Sequence, residues 1–249
     1  MLIAMFVVWL VQAGSADLSE QTFRTVVVVS VIPAVLAVIS LAFGAKDVTV
    51  KGQRAVPKFA FRTLGRPFMI FMIIVGIFTL GNSSDAFLIL RARDLQVATV
   101  MIPVLYLMFN LIYSALSIPA GLLADRIGRR KVALIGFVIF AAAYAWMAVA
   151  RSQAAAWGVF AVYGVYMGIA DGNGRALLAE FSSGERHGTA FGAYHMVVGL
   201  AALPASVIAG LLYDHVSAAA PFWLGAAAAA LAGVLMLALV PEPRKPRAA

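Results

Sequence analysis

Three short stretches set ionisable side chains within the apolar runs of this chain or directly against their ends. In "AGLLADRIGRRK", residues 120–131, an apolar run ends and Asp125, Arg126, Arg129, Arg130 and Lys131 follow at once, bracketed by Gly121 and Gly128. In "GIADGNGRALLAEF", residues 168–181, Asp171 and Arg175 stand four apart, the spacing that puts a carboxylate and a guanidinium on one helix face. Glu180 follows one turn later. In "GNSSDAF", residues 81–87, Asp85 comes directly after Asn82, Ser83 and Ser84. No nucleophile triad, phosphate-binding loop or metal-ligand spacing accompanies them. The three histidines are scattered and there is no cysteine. The chemistry on offer is charge pairing, hydrogen bonding and proton exchange. Neither an enzyme nor a cofactor or metal is expected.

The elements that position these residues must be membrane helices. The chain is 63% hydrophobic and 12% charged, with mean hydropathy +0.95, whereas a soluble domain is about 45–50% apolar and about 25% charged. A fold of 249 residues has too little interior to hide this much apolar surface. Lipid must be its solvent. The pI near 10.1 would suggest nucleic acid in a soluble protein. Here the basic residues occupy short gaps between apolar runs, so no nucleic-acid partner is expected. The opening "MLIAMFVVWLVQAG" lacks the basic start and small-residue cleavage site of a signal peptide.

A spanning helix needs about 20 mostly apolar residues. Seven stretches qualify: 23–43, 67–90, 99–123, 132–150, 155–179, 188–212 and 220–240. An eighth, 2–13, is apolar but short. All are continuous apolar runs, longer than barrel strands of about 9–11 residues. Within the second run the polar knot around Asn82 is a candidate helix interruption.

Lys and Arg alternate in abundance from gap to gap. The gap 44–66 holds Lys46, Lys51, Arg54, Lys58, Arg62 and Arg66; the gap 124–131 holds four more; Arg175 and Arg186 flank 180–187; the tail adds Arg244, Lys245 and Arg247. The other side has only Arg24, Arg91, Arg93 and Arg151. Positive loops stay in the cytoplasm. This predicts a multi-pass protein of the inner (plasma) membrane with both termini cytoplasmic. The long basic connection 44–66 reads either as a solvated linker or as the divider between two bundles.

"AGLLADRIG" at 120–128 recurs as "AGLLYDHVS" at 209–217. By the loop count the copies end on opposite faces. They sit in the second and fifth of the last six spans, as an inverted 3+3 repeat requires. Such repeats are common in secondary transporters.

The charged hairpin, Gly121-x-x-x-Asp125-Arg126-x-Gly128-Arg129-Arg130, resembles the G-x-x-x-D-[RK]-x-G-[RK]-[RK] signature of the major facilitator superfamily. Its place, between the second and third of six spans on the predicted cytoplasmic face, agrees. The resemblance implies an all-α integral membrane fold, a major-facilitator-type helical bundle. It would have about eight transmembrane helices here, with the inverted repeat in the C-terminal six. Residues 1–43 then correspond to the last two helices of the N-terminal half (the first one truncated). Residues 44–66 are the cytoplasmic linker, 67–240 the C-terminal six-helix half and 241–249 a cytoplasmic tail. The first four helices of the family have no counterpart. The implied activity is secondary transport of a small solute by alternating access, with the missing N-terminal half or a second protomer completing the cavity. The other reading is a non-transporting remnant or scaffold.

Within that frame Gly121 lets a neighbouring helix approach closely, and Gly128 permits a sharp reversal. Asp125 pairs with an arginine or a helix N-terminus. The resemblance implies that such contacts hold the inward side closed; the plainer reading is that the four cations only fix topology. Arg175 is expected to meet Asp125, and Glu180 to meet Arg129 or Arg130, although Asp171 and Arg175 can also pair with each other. Asp85 either lines a cavity at an unwound helix or pairs with Arg91 or Arg93. His195 offers a proton relay, as a histidine side chain can, or it is a packing residue. Asn110, Tyr113, Tyr163 and Tyr166 fall near mid-span, as substrate contacts or interhelical packing. "AALPASVIAG" reads as a packing face. The alanine-rich 225–240 reads as a peripheral helix without chemistry. Substrate identity is beyond the sequence, and efflux and uptake are both allowed.

Overall fold

A computed structural model describes residues 20–44, 64–181 and 187–240. The apolar run 2–13, the linker between 45 and 63, Arg186 and the tail 241–249 lie outside the described residues. The described chain is helical: α1 (Glu20–Gly44), α2 (Arg66–Gly81), α3 (Asp85–Asp94), a 3-10 turn (Thr99–Met101), α4 (Ile102–Ile127), α5 (Arg129–Val149), α6 (Gln153–Glu180), α7 (His187–His215) and α8 (Ala220–Leu239). There are no strands among the described residues. Among the described residues, seven segments are long and apolar enough to cross a membrane, with α2 and α3 together forming one of them. The chain is a multi-pass membrane protein. In lipid, backbone polar groups must be satisfied within the segment, and helices do that. α4 extends a few residues past its apolar run, to Ile127.

Two compact units contain these elements. Residues 20–44 and 97–107 belong to the first. In α1 the apolar side chains from Val31 to Phe43 are exposed, as suits a lipid-facing surface. Residues 64–96, 108–181 and 187–240 belong to the second unit. It buries a core of Phe68, Phe71, Met72, Ile74 and Val75 from α2, Leu177 and Leu178 from α6, Ala190 and Ala193 from α7, and Ala232 and Met236 from α8. The small-residue face of α7 is a packing face: Ala201, Ala205 and Ala209, one turn apart, are buried.

The alanine-rich helix packs by one face and leaves the other exposed. α8 packs along α2 and α5 and touches α7, burying Phe222, Gly225, Ala226, Ala229, Ala232 and Met236. Its small side chains let backbones meet, the usual packing device in lipid. A Cβ built on Gly225 would lie 2.7 Å from the Gly81 carbonyl oxygen. Alanine richness therefore marks a close-packed face here.

The second span is interrupted where its polar knot lies. α2 stops at Gly81, Asn82–Ser84 are non-helical, and α3 restarts at Asp85 with the Ser84 hydroxyl accepting from the Ala86 amide. Ser84 is an N-cap and Asp85 an acidic first-turn residue, both favoured at a helix start.

Candidate functional site

The charged hairpin closes one end of the bundle around Arg129. Gly128 takes φ +100°, a conformation that side chains disfavour, so the chain reverses in one residue between α4 and α5. This throws Arg129 towards the end of α6. Its guanidinium pairs with Glu180 at 3.3 Å and Asp125 at 3.5 Å, and donates to the Ala176 carbonyl at 2.8 Å. The buried Asn173 side chain donates to the Arg129 carbonyl at 2.9 Å. Arg130 turns the other way and donates to the Met236 and Leu237 carbonyls, at 3.2 and 2.7 Å, capping the end of α8. A cation at a helix C-terminus also complements the helix dipole. Arg126 is exposed.

The expected Arg129–Glu180 contact is present, and Arg175 does not join it. Arg175 bonds Asp171 on its own helix, because four residues of α6 place the two groups face to face. Asp125, in the last turn of α4, meets Arg129 across the Gly128 reversal. Gly121 has no helix against it among the described residues. It is exposed, and a Cβ there meets nothing within 4 Å among the described residues.

Further along α6, Asp171 has a second partner: the Tyr113 hydroxyl of α4 donates to it at 2.8 Å. Gly164 and Gly168 make this possible. A Cβ on Gly164 would sit 2.9 Å from the Phe109 carbonyl oxygen, and one on Gly168 would sit 3.1 Å from that of Tyr113. Only glycine allows α4 and α6 this close. The same contact stacks Phe109 on Tyr113 and Tyr163, at 6.4 and 5.5 Å between ring centres.

The third cluster surrounds the helix interruption. The Tyr163 hydroxyl donates to Asp85 at 2.8 Å. The Tyr144 hydroxyl reaches the Asn82 side-chain oxygen at 3.5 Å. Tyr163, Tyr166, Tyr144 and Phe140 form one buried aromatic group, with Phe140 and Tyr144 stacked 4.0 Å apart. Asp85 therefore pairs with neither Arg91 nor Arg93. Arg91 is spent on the Ala150 carbonyl at 3.0 Å and on Asp94; Arg93 is exposed. α3 carries both arginines past the level of Asp85, out of reach of its carboxylate.

The structure thus joins Tyr113 to Asp171 and Tyr163 to Asp85, with Phe109 as the aromatic bridge. Tyr166 packs against Tyr163, Phe140 and Phe78. Asn110 is half-buried on α4. His195 stands apart: it is exposed on α7, edge-on to Tyr194 at 5.3 Å. Sequence reasoning missed Tyr144 and Asn173. Asn173 stands seven residues after Tyr166 and four before Leu177, all three buried, so the apolar stripe of α6 already marked its face.

The family model of the Major Facilitator Superfamily matches residues 68–249. The chain is also 32% identical, over 224 residues, to an uncharacterized MFS-type transporter of Methanocaldococcus jannaschii. That alignment covers 88% of this chain and 56% of the relative, so the chain spans about half the length of the curated relative it matches.

Proposed function

The chain belongs to the major facilitator superfamily, and we propose that residues 67–240 act as the C-terminal half of a secondary transporter. Residues 1–43 are the end of the preceding half and 44–66 the loop between them. The complete protein moves a small solute by alternating access, with the solute cavity between this half and a second half-bundle.

The observation that carries this reading is an uncovered face made of small residues. Ser117 and Gly121 on α4, and Gly188 and Gly192 on α7, repeat at four-residue spacing and are exposed. A Cβ on Gly121, Gly188 or Gly192 meets nothing within 4 Å among the described residues. Faces that look only at lipid have no need of small residues, whereas helix–helix interfaces in membranes are enriched in them. Arg175 and His195 are exposed within spans as well. Ionisable groups in spans face a protein interior or a water-filled cavity. A second half-bundle over α4 and α7 supplies both. Asp171 and Asp85, each held by a tyrosine hydroxyl, are the groups through which proton coupling would act.

The same reading places the Arg129 cluster on the cytoplasmic side of the plasma membrane, with both termini there, in keeping with the Lys/Arg-rich gaps. The cluster then acts as part of an inward-side latch.

The test is solute accumulation. Cells producing the full-length protein would be given labelled sugars, amino acids, carboxylates and organic cations, and compared with cells producing Gly192→Trp at equal membrane abundance. A change in the level of at least one solute, lost in Gly192→Trp, supports the transporter. No change for any solute favours a scaffold without transport.

A further inference from the structure

The interruption of the second span gathers oxygen atoms that no donor of the chain satisfies. The Asn82 amide turns back to the Phe78 and Thr79 carbonyls, at 2.9 and 3.2 Å, but among the described residues no donor reaches the carbonyl of Gly81 or of Asn82. Both carbonyls stand at the C-terminal, negative end of the α2 dipole. Ser83 is 6% exposed, and its hydroxyl has no hydrogen-bond partner. Its neighbour Ser84 is exposed, so the Ser83 side chain is the one turned into the bundle. A hydroxyl this buried is normally bonded to protein, water or an ion.

Asp85 adds the charge. It is half-buried within a span, and its place in the first turn of α3 favours the ionised carboxylate. The Tyr163 hydroxyl donates to Oδ1 at 2.8 Å, while Oδ2 has no donor among the described residues. Carboxylates inside spans take a positive partner or line an ion path, and neither Arg91 nor Arg93 supplies one here. Tyr144 draws these groups together. Its hydroxyl reaches the Asn82 side-chain oxygen at 3.5 Å, and its ring lies 6.2 Å from that of Tyr163. Gly225 keeps the space beside them open: a Cβ there would run into the Tyr144 ring and lie 2.7 Å from the Gly81 carbonyl oxygen.

We propose that the interruption is a binding site for an alkali cation, with the Asp85 carboxylate as its charged ligand and the Ser83 hydroxyl and the Gly81 and Asn82 carbonyls as its neutral ones. An all-oxygen set suits a hard cation. One carboxylate balances one positive charge, and no group of three His, Cys, Asp or Glu stands together among the described residues. The fit is therefore to a monovalent ion rather than to calcium or a transition metal. Unwound backbone and the C-terminal ends of half-helices hold sodium ions or protons in other transporter folds. The site stands on the local fold and does not depend on a solute being found. Where transport occurs, the cation and a proton are alternative occupants of the Asp85 carboxylate.

Binding of radiolabelled sodium to the full chain in lipid nanodiscs, with choline chloride holding the ionic strength constant, tests the proposal without any solute. The wild type is expected to bind saturably, near one ion per chain. Asp85→Asn keeps an acceptor for Tyr163 but loses the charge, and its affinity should fall at least about tenfold. Ser83→Ala removes only an unpaired hydroxyl, so the variant should fold as the wild type does while its affinity falls severalfold. Asp94→Asn changes a carboxylate at the far end of α3 and should bind as the wild type. Absence of saturable binding in the wild type overturns the proposal. So does wild-type affinity in either Asp85→Asn or Ser83→Ala, or an equal loss in Asp94→Asn, which would put the ion at the end of the bundle instead of at the interruption.

Discussion

Tyr163 and Asp85, 78 residues apart in the chain, meet hydroxyl to carboxylate at 2.8 Å between α6 and α3. The bond joins the buried aromatic group to the interruption of the second span. Tyr163 is 3% exposed, so water cannot replace its partner. An unpaired buried hydroxyl costs about 1–3 kcal/mol. Asp85→Asn keeps an acceptor and should change stability by less than about 1 kcal/mol on the same grounds. Asp85→Leu removes the acceptor and should cost about 1–3 kcal/mol. Thermal unfolding of the purified protein in one detergent compares the two. Equal midpoints for both variants would show that the hydroxyl finds another partner.

Glycines of α6 should respond in opposite directions. A Cβ on Gly168 would lie 2.9 Å from that of Leu116 and 3.1 Å from the Tyr113 carbonyl oxygen, with no flexible chain end to yield. Gly168→Ala therefore pushes α4 from α6, at a cost of about 1–3 kcal/mol for overpacking. Gly174 lies in the same helix, and a Cβ there meets nothing within 4 Å among the described residues. Gly174→Ala should stabilise by up to about 1 kcal/mol through helix propensity. The measurement is the unfolding midpoint of each single variant. A stabilised Gly168→Ala would refute the tight α4–α6 approach.

Local patterns carried the features that the sequence revealed. The interruption at Asn82–Ser84 and the Asp171–Arg175 pair depend on residues within one turn or one span. The Arg129–Glu180 contact was legible because the hairpin signature brings a known geometry with it. Partners from distant segments were hidden. Nothing in the spacing of Tyr163 or Tyr113 selects Asp85 or Asp171 as an acceptor; the glycines of α6 favour the Tyr113–Asp171 pair only once α4 is in place. The close packing of α8 was hidden because a segment without polar groups looks passive, although small residues are what let Gly225 approach Gly81. Gly121 had the opposite fate: its small size suggested a neighbour, and none of the described helices supplies one.

The Arg129 cluster should separate into a weak pair and a stronger cap. The side chains of Arg129 and Glu180 are 29% and 32% exposed, so solvent screens their attraction. Their coupling in a double-mutant cycle with Arg129→Gln and Glu180→Gln should be at most about 1 kcal/mol. Arg129→Ala should cost more than Glu180→Gln, because it also abandons the Ala176 carbonyl and the Asp125 carboxylate. Asp125→Asn is expected to move the complete transporter towards inward-open states, read by the accessibility of single cysteines in the cavity. Unchanged accessibility would leave Asp125 a topological role only.

Sidedness gives the last prediction. The sequence has no cysteine, so a single introduced thiol reports without background. Arg54 lies in the long basic gap, and His215 ends α7. Fifteen of the 19 Lys and Arg lie on one side of the proposed map, and such an excess holds loops in the cytoplasm. Arg54→Cys should therefore react with a membrane-impermeant maleimide only in inverted vesicles. His215→Cys should react only in intact cells or right-side-out vesicles. Substituting one residue leaves the other cations in place, so neither change should reorient the chain. Labelling of both thiols from the same side would break the alternation between gaps, and reversed labelling of both would turn the whole map over. In either case the Arg129 hairpin would lose its assignment to the inward side, since that assignment rests on the distribution of charge and not on the contacts of the hairpin itself.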